Sequence, residues 1–312
     1  MSNENWSQDV LEKIATEGLK EQKRRRRWGI FFKLLTFSYL FIILAIVYQD
    51  VDSSLGQTTA TKHTALVELN GVIASNENAS ADRVISGLRK AFKAKNVAGI
   101  ILRINSPGGS PVQSGYIYDE ILRLREKHPD IPLYAVIADI GASGGYYVAA
   151  AAEKIYADQA SMVGSIGVRM DNFGFVETMK KLGIERRTIT AGKNKALLDP
   201  FAPVNPMVVK HMQGLLSHVH NQFINAVKQG RGDRLKEVDG MFSGLIWTGD
   251  QAVELGLVDE LGSSSYVARE VFHAEDIVDY TVQPDFFERF SDKVGTQAAK
   301  SMVSQLSLPQ LK

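Results

Sequence analysis

The chain has 312 residues, of which 45% are hydrophobic and 23% charged, with a formal net charge of +1 and no cysteine. These are the proportions of a folded protein with room for one large domain or two small ones. They exclude a disulfide framework, a thiol nucleophile and a thiolate metal site, and they supply no global attraction to nucleic acid.

Residues 1–27 are polar, with Trp6, Val10, Leu11, Ile14 and Leu19 spaced as one face of a short amphipathic helix and a basic run from Lys23 to Arg27 at the end. The stretch from Trp28 to Tyr48 is apolar apart from Lys33. At ~1.5 Å of rise per residue it matches the hydrocarbon thickness of a bilayer. Lys33 lies close enough to the basic end to snorkel, and Trp28 and Tyr48 stand where interfacial aromatics belong. Arginines before the span and Asp50 and Asp52 after it predict a cytoplasmic N-terminus with the rest of the chain outside. No small-residue cleavage signal follows closely, which favours an uncleaved anchor over a signal peptide. The expected organisation is a cytoplasmic basic tail over 1–27, a transmembrane helix over 28–48, a polar linker over 49–62, a folded domain over 63–284 and a weakly patterned tail over 285–312.

Within the folded region, strand patterns run over 64–73, broken at Asn70-Gly71, then over 97–104 and 132–139. Helical spacing joins Val84, Ile85, Leu88, Ala91 and Phe92, and again Ile117, Ile121 and Leu124. Two short strands are expected over 154–158 and 162–168 and another over 184–190. A long helix follows over 206–231, on Met212, Leu215, Val219, Phe223 and Val227, and a last compact region starts at Ala252. Alternating strands and helices predict an α/β domain with a largely parallel sheet, in which ligands sit at the carboxyl ends of strands. Two glycine-rich loops fall at such ends, Asn105 to Ser110 and Gly141-Ala142-Ser143-Gly144-Gly145.

The second loop offers a serine on a tight strand-to-helix turn, so Ser143 is the candidate nucleophile. The stretch also matches the G-x-S-x-G elbow in its strand–turn–helix context. A serine needs a base. His211, His218 and His220 fall on the long helix and read as surface or edge-of-core residues, which leaves His273 as the histidine candidate. Lys195, followed by Ala196, Leu197 and Leu198, has the most apolar surroundings among nearby lysines, with Lys193 as its neighbour and competitor. A lysine acts as a base only when desolvation lowers its pKa toward neutrality. No carboxylate has suggestive spacing. No H-E-x-x-H, histidine cluster or P-loop is present, so no cofactor or metal is expected. Backbone N–H groups of Gly109 and Gly144 are the expected oxyanion donors.

Four segments in order, Leu102 to Ser110, Ala142 to Tyr147, Gly164 to Val168 and Lys195 to Phe201, resemble the signal peptide peptidase A family in its short, single-repeat bacterial form. The likeness covers about residues 65–285. It implies an α/β chain of crotonase/Clp-protease-like fold with repeated β-β-α units behind one N-terminal transmembrane helix. It further implies a serine endopeptidase of the inner membrane, with its catalytic domain outside the cytoplasm, acting on remnant signal peptides and other hydrophobic peptides. Ser143 then matches the nucleophile, Lys195 the general base, Gly109 an oxyanion donor and Ser165 a hydroxyl that orients the lysine. The family's half-length chains form homo-oligomeric rings with sites built between neighbours. Alternatives left open by the residues are an α/β-hydrolase-like esterase using His273, an acyl-CoA-binding relative of the same fold, and a non-catalytic anchored scaffold.

Overall fold

The computed structural model describes residues 3–54 and 61–283, and the chain divides into two units near residue 58. The first unit is one helix, α1 (Asn3–Ser54), whose large apolar side chains from Trp28 to Leu44 are exposed. Among the described residues no helix is long and apolar enough to cross a membrane. The span expected over 28–48 lies inside α1, and the side chains of Ile43 and of residues 46–48 fall outside the described set, as do those of Trp6, Val10, Leu11, Ile14 and Leu19. The expected linker is corrected at its start. Residues 49–54 continue the helix, because Gln49 to Ser54 holds no glycine or proline to stop it. The tail over 285–312 lies outside the described residues.

The second unit is built on a mainly parallel sheet. Its strands are β1 (His63–Asn70), β2 (Val97–Ser106), β3 (Leu133–Ala142), β4 (Lys154–Ala157), β5 (Met162–Gly164), β6 (Ile246–Thr248), β7 (Glu260–Leu261) and β8 (Ile277–Asp279). The order is β6-β5-β3-β2-β1-β8, parallel throughout except for the antiparallel pair of β5 and β6. Strand β3 serves two neighbours in turn. Tyr134 to Ile137 pair with β4, and Ile140 to Ala142 pair with β5.

Helices α2 (Ala81–Lys93), α3 (Pro111–Lys127) and α4 (Gly144–Ala149) each return the chain to the next parallel strand. Strand and helix thus alternate one for one from β1 to β4. The β-β-α order implied by the resemblance appears among the described elements once, as β4, β5 and α5 (Val176–Lys181). Alternate residues of each central strand face opposite ways. Val67, Leu69, Leu102, Ile104 and Ile137 pack with α2 and α3, and Leu66, Ile101, Tyr134 and Val136 pack with Val267, Ala268 and Phe272. Both faces are therefore covered, as a parallel sheet requires. The buried Glu120 of α3 ties the helical layer together. It accepts from Arg123 at 2.6 Å and from Arg89 of α2 at 2.7 Å. The Arg123 hydrogen bond, ahead of Arg89, holds its carboxyl down to about 2.

Helix α6 (Pro206–Arg231) forms over the predicted residues. Asn205 caps it by accepting from Met207 N, proline occupies the first turn, and Gly232 follows the last residue at φ 53°. The strand expected over 184–190 is not formed. That stretch is exposed, makes no ladder, and leaves Ile189 99% exposed. It belongs to a longer run, residues 167–222, in which no residue is buried. Its apolar residues meet only one another in part, as Phe175 does Phe201, and none reaches the buried core. The last elements are α7 (Gly249–Glu254) and α8 (Ser264–Tyr266), the latter continued by one π-helical turn through Val271.

Candidate active site

Ser143 stands between the end of β3 and the start of α4, at φ 51° and ψ −123°. A side chain rarely adopts that backbone, and here two neighbours impose it. Ser143 N–H donates to the Gly164 carbonyl at 2.8 Å, and Tyr147 N–H closes the first turn on Ser143 O at 2.9 Å. Ser143 Oγ makes no cap, and it has no hydrogen-bond partner among the described residues. The strain belongs to a serine whose hydroxyl is left free.

The loop after β2 is laid against this turn. Ser106 Oγ donates to Gly71 O at 2.6 Å and accepts from Gly108 N–H at 3.1 Å. Ile73 N–H binds Gly108 O at 2.9 Å and Ser110 N–H binds Ile73 O at 2.8 Å, so Gly109 between them is fixed while its own N–H stays unpaired among the described residues. A Cβ on Gly108 would stand 2.6 Å from Gly144 N and 2.8 Å from Ser143 Cβ, and one on Gly144 would stand 3.2 Å from Gly109 N. The backbone nitrogens of Gly109 and Gly144 therefore lie close to one another next to Ser143. Only glycines permit that approach.

Ser143, Gly144 and Gly109 open on a cavity of about 720 Å³, which Ser165 and Val168 also line. Ser165 also has positive φ, 51°, and its N–H is held by Leu245 O at 2.7 Å. The structure thus brings four predicted residues to one cavity. It does not bring Lys195 there. Lys195 is exposed on a turn within the 167–222 run, as is Lys193. His273 is exposed on a turn beyond Phe272 and does not line the cavity, and His211 and His218 lie on unburied turns of α6. His220 is half-buried, with Nε2 3.1 Å from Ile166 O.

The sequence reading missed Ser114, Tyr147, Phe223 and Ser243, which also line the cavity. Ser114 is fully buried and donates from Oγ to Ser110 O at 3.0 Å. Tyr147 packs against Phe223 of α6, with ring centroids 5.0 Å apart and the planes tilted by 40°. Their local patterns read as ordinary helix faces, and only the approach of α6 to α4 makes them a wall. An unengaged hydroxyl beside two neighbouring backbone N–H groups is an arrangement that acyl transfer can use.

Gly109→Ala tests the loop. The added methyl collides with the Ile73 carbonyl oxygen and stands 2.8 Å from Ile73 N, so the loop must retreat from Gly144. If Gly109 N–H serves as an oxyanion donor, turnover falls by about 10²–10³-fold, the cost of losing one such donor. Steady-state kinetics alongside a melting curve check it, and wild-type turnover in a folded variant contradicts it.

The family model for "Peptidase family S49" matches residues 125–277, a span that includes Ser143, Ser165 and Lys195. The chain is 44% identical over 185 residues to a Brucella abortus protein named "Na(+)/H(+) antiporter NhaA", covering 59% of this chain and 25% of that protein. It is 30% identical over 239 residues to a "Putative signal peptide peptidase SppA" of Enterococcus faecium, covering 74% of this chain and 69% of the relative. It is 33% identical over 207 residues to a putative protease of Synechocystis, covering 66% and 72%. The chain therefore spans a quarter of the Brucella protein and about seven-tenths of the other two.

Proposed function

The chain belongs to peptidase family S49, and from that premise we propose that it is a membrane-anchored serine endopeptidase working through a Ser143–Lys195 dyad. Neutral Lys195 takes the proton of Ser143 as Oγ attacks the scissile carbonyl. The N–H groups of Gly109 and Gly144 hold the oxyanion and Ser165 orients the lysine. Collapse of the adduct breaks the C–N bond, the leaving amine takes the proton back from Lys195, and a water deprotonated by Lys195 then hydrolyses the acyl-enzyme and returns the serine. The observation that carries this reading is the free Ser143 hydroxyl on its strained turn, beside two unpaired N–H groups at the edge of the cavity.

Because Lys195 lies outside the cavity of its own chain, the reading includes a homo-oligomeric ring in which the lysine is supplied by a neighbour. The unburied run over 167–222, with Phe173, Leu182, Ile189 and Val204 exposed, supports a second copy as its cover. The apolar stretch from Trp28, exposed along α1 and preceded by the basic run, supports an inner-membrane anchor with the peptidase domain on the outer side. A crotonase/Clp-protease-like arrangement is part of the same proposal. Substrates in this reading are remnant signal peptides and similar hydrophobic peptides, extended and free of bulky folded structure. No observation favours the His273 esterase.

The test is hydrolysis of detergent-solubilised signal peptides by the intact protein and by its Lys195→Ala variant, followed by mass spectrometry. Internal cleavage by the wild type that is lost in the variant is the expected result. A wild-type protein inert on several such peptides overturns the substrate class. A Lys195→Ala protein that cleaves at the wild-type rate overturns the lysine base.

A further inference from the structure

The run over 167–222 contains no buried residue, yet one point in it is tightly held. Arg186 Nη1 donates to Asp199 Oδ1 at 2.7 Å, and the Asp199 side chain is only 7% exposed. The same oxygen accepts from Phe201 N–H at 3.0 Å. The guanidinium also lies over the Phe201 ring, 5.0 Å from its centroid, and Phe201 stacks on Phe175 at 5.6 Å. Two bonds reach the same spot from the other side. Asn172 Nδ2 donates to Leu198 O at 2.8 Å, and Phe175 N–H donates to Pro200 O at 2.7 Å. Leu198 itself is bent to φ 53°.

These contacts close a loop. Arg186 and Asp199 form its neck, and Lys195 rides near its end, where among the described residues its backbone is held only by the local bond of Lys195 N–H to Gly192 O at 3.1 Å. Exposed ion pairs contribute little as a rule. This one differs because the carboxylate is desolvated and its partner is stacked on an aromatic face, so the geometry is fixed from several directions. We propose that Arg186 is a positioning residue: its pair with Asp199 shuts the neck of the loop and fixes the presentation of Lys195 to the serine it serves. The proposal rests on Lys195 being the base.

The experiment compares Arg186→Ala, Arg186→Lys and Asp199→Asn in the full chain, with assembly checked by light scattering. Arg186→Ala lowers kcat by about tenfold or more while KM stays within about twofold, since substrate binds elsewhere. Arg186→Lys, which retains a cation for Asp199, recovers at least part of the loss. Reaction of Ser143 with a fluorophosphonate, slowed already in Lys195→Ala, is slowed no further when Arg186→Ala is added. Wild-type kcat in Arg186→Ala overturns the proposal, as does an equal additional loss in the Lys195→Ala background, which marks a merely structural role. Should Arg186→Ala fail to assemble, Asp199→Asn, whose amide oxygen still accepts from Phe201 N–H, decides by the same measurements. If Lys195→Ala alone retains full activity, it is the reading of Lys195 that fails, and the proposal falls with it.

Discussion

Ser143→Ala abolishes peptide hydrolysis, with a loss on the order of 10⁴-fold or more, while the protein melts within a few degrees of wild type. The two halves of that expectation have separate causes. In the proposed mechanism the hydroxyl forms the covalent bond, and once it is gone only binding and the proposed oxyanion donors remain to accelerate reaction with water. The fold barely notices, because Ser143 Oγ caps no helix and has no partner among the described residues. Alanine inherits the same φ of 51° and the same strain. Glycine does not, so Ser143→Gly is equally dead but more stable than wild type by about 1–2 kcal/mol, the strain relieved at an unfavourable backbone position. A thermal melt of the three proteins beside their reaction with a fluorophosphonate checks both halves. A Ser143→Ala protein that still cleaves the peptide at a tenth of the wild-type rate removes Ser143 from the chemistry. A Ser143→Gly protein less stable than wild type removes the strain argument.

How far the sequence foretold the molecule depends on where each residue finds its neighbours. Strands β2 and β3 are buried on both faces, so their composition alone is a strong signal, and they lie within two or three residues of the expected bounds. Helix α6 carries its own punctuation, Asn205 and Pro206 before it and Gly232 after it. That Gly109 and Ser143 share a cavity was legible because each lies on a loop at the carboxyl end of a parallel strand. The stretch over 184–190 misled for a physical reason. Ile184, Thr188 and Ile189 carry the residue types of a strand, but a pattern states only that a residue favours burial, not which surface provides it. Within the described chain nothing covers Ile189. The same limit hides the wall formed by Tyr147 and Phe223. Their meeting joins helices far apart in sequence, and neither helix signals it alone.

Lys195→Ala lowers kcat by about 10²–10⁴-fold, the contribution of a positioned general base, and leaves the melt unchanged because Lys195 is exposed and holds no side-chain contact of the core. The more informative result comes from mixing. Ser143→Ala chains keep the lysine and Lys195→Ala chains keep the serine, and each assembly is inactive by itself. If the base reaches its serine across a head-to-tail contact between copies, random co-assembly in equal amounts makes about a quarter of the contacts competent. Activity then returns on mixing the denatured or dissociated chains and reassembling them, and rises and falls with their ratio. If the base serves its own chain, every contact in the mixture stays incomplete and no activity returns. That outcome requires the run over 167–222 to fold back over the cavity and bring Lys195 to the serine of the same chain. A ring then adds cover for the exposed apolar residues but no chemistry. Recovery on mixing instead makes the neighbour part of the active site, and the absence of any buried residue across 167–222 becomes the mark of a segment built to be completed by a second copy.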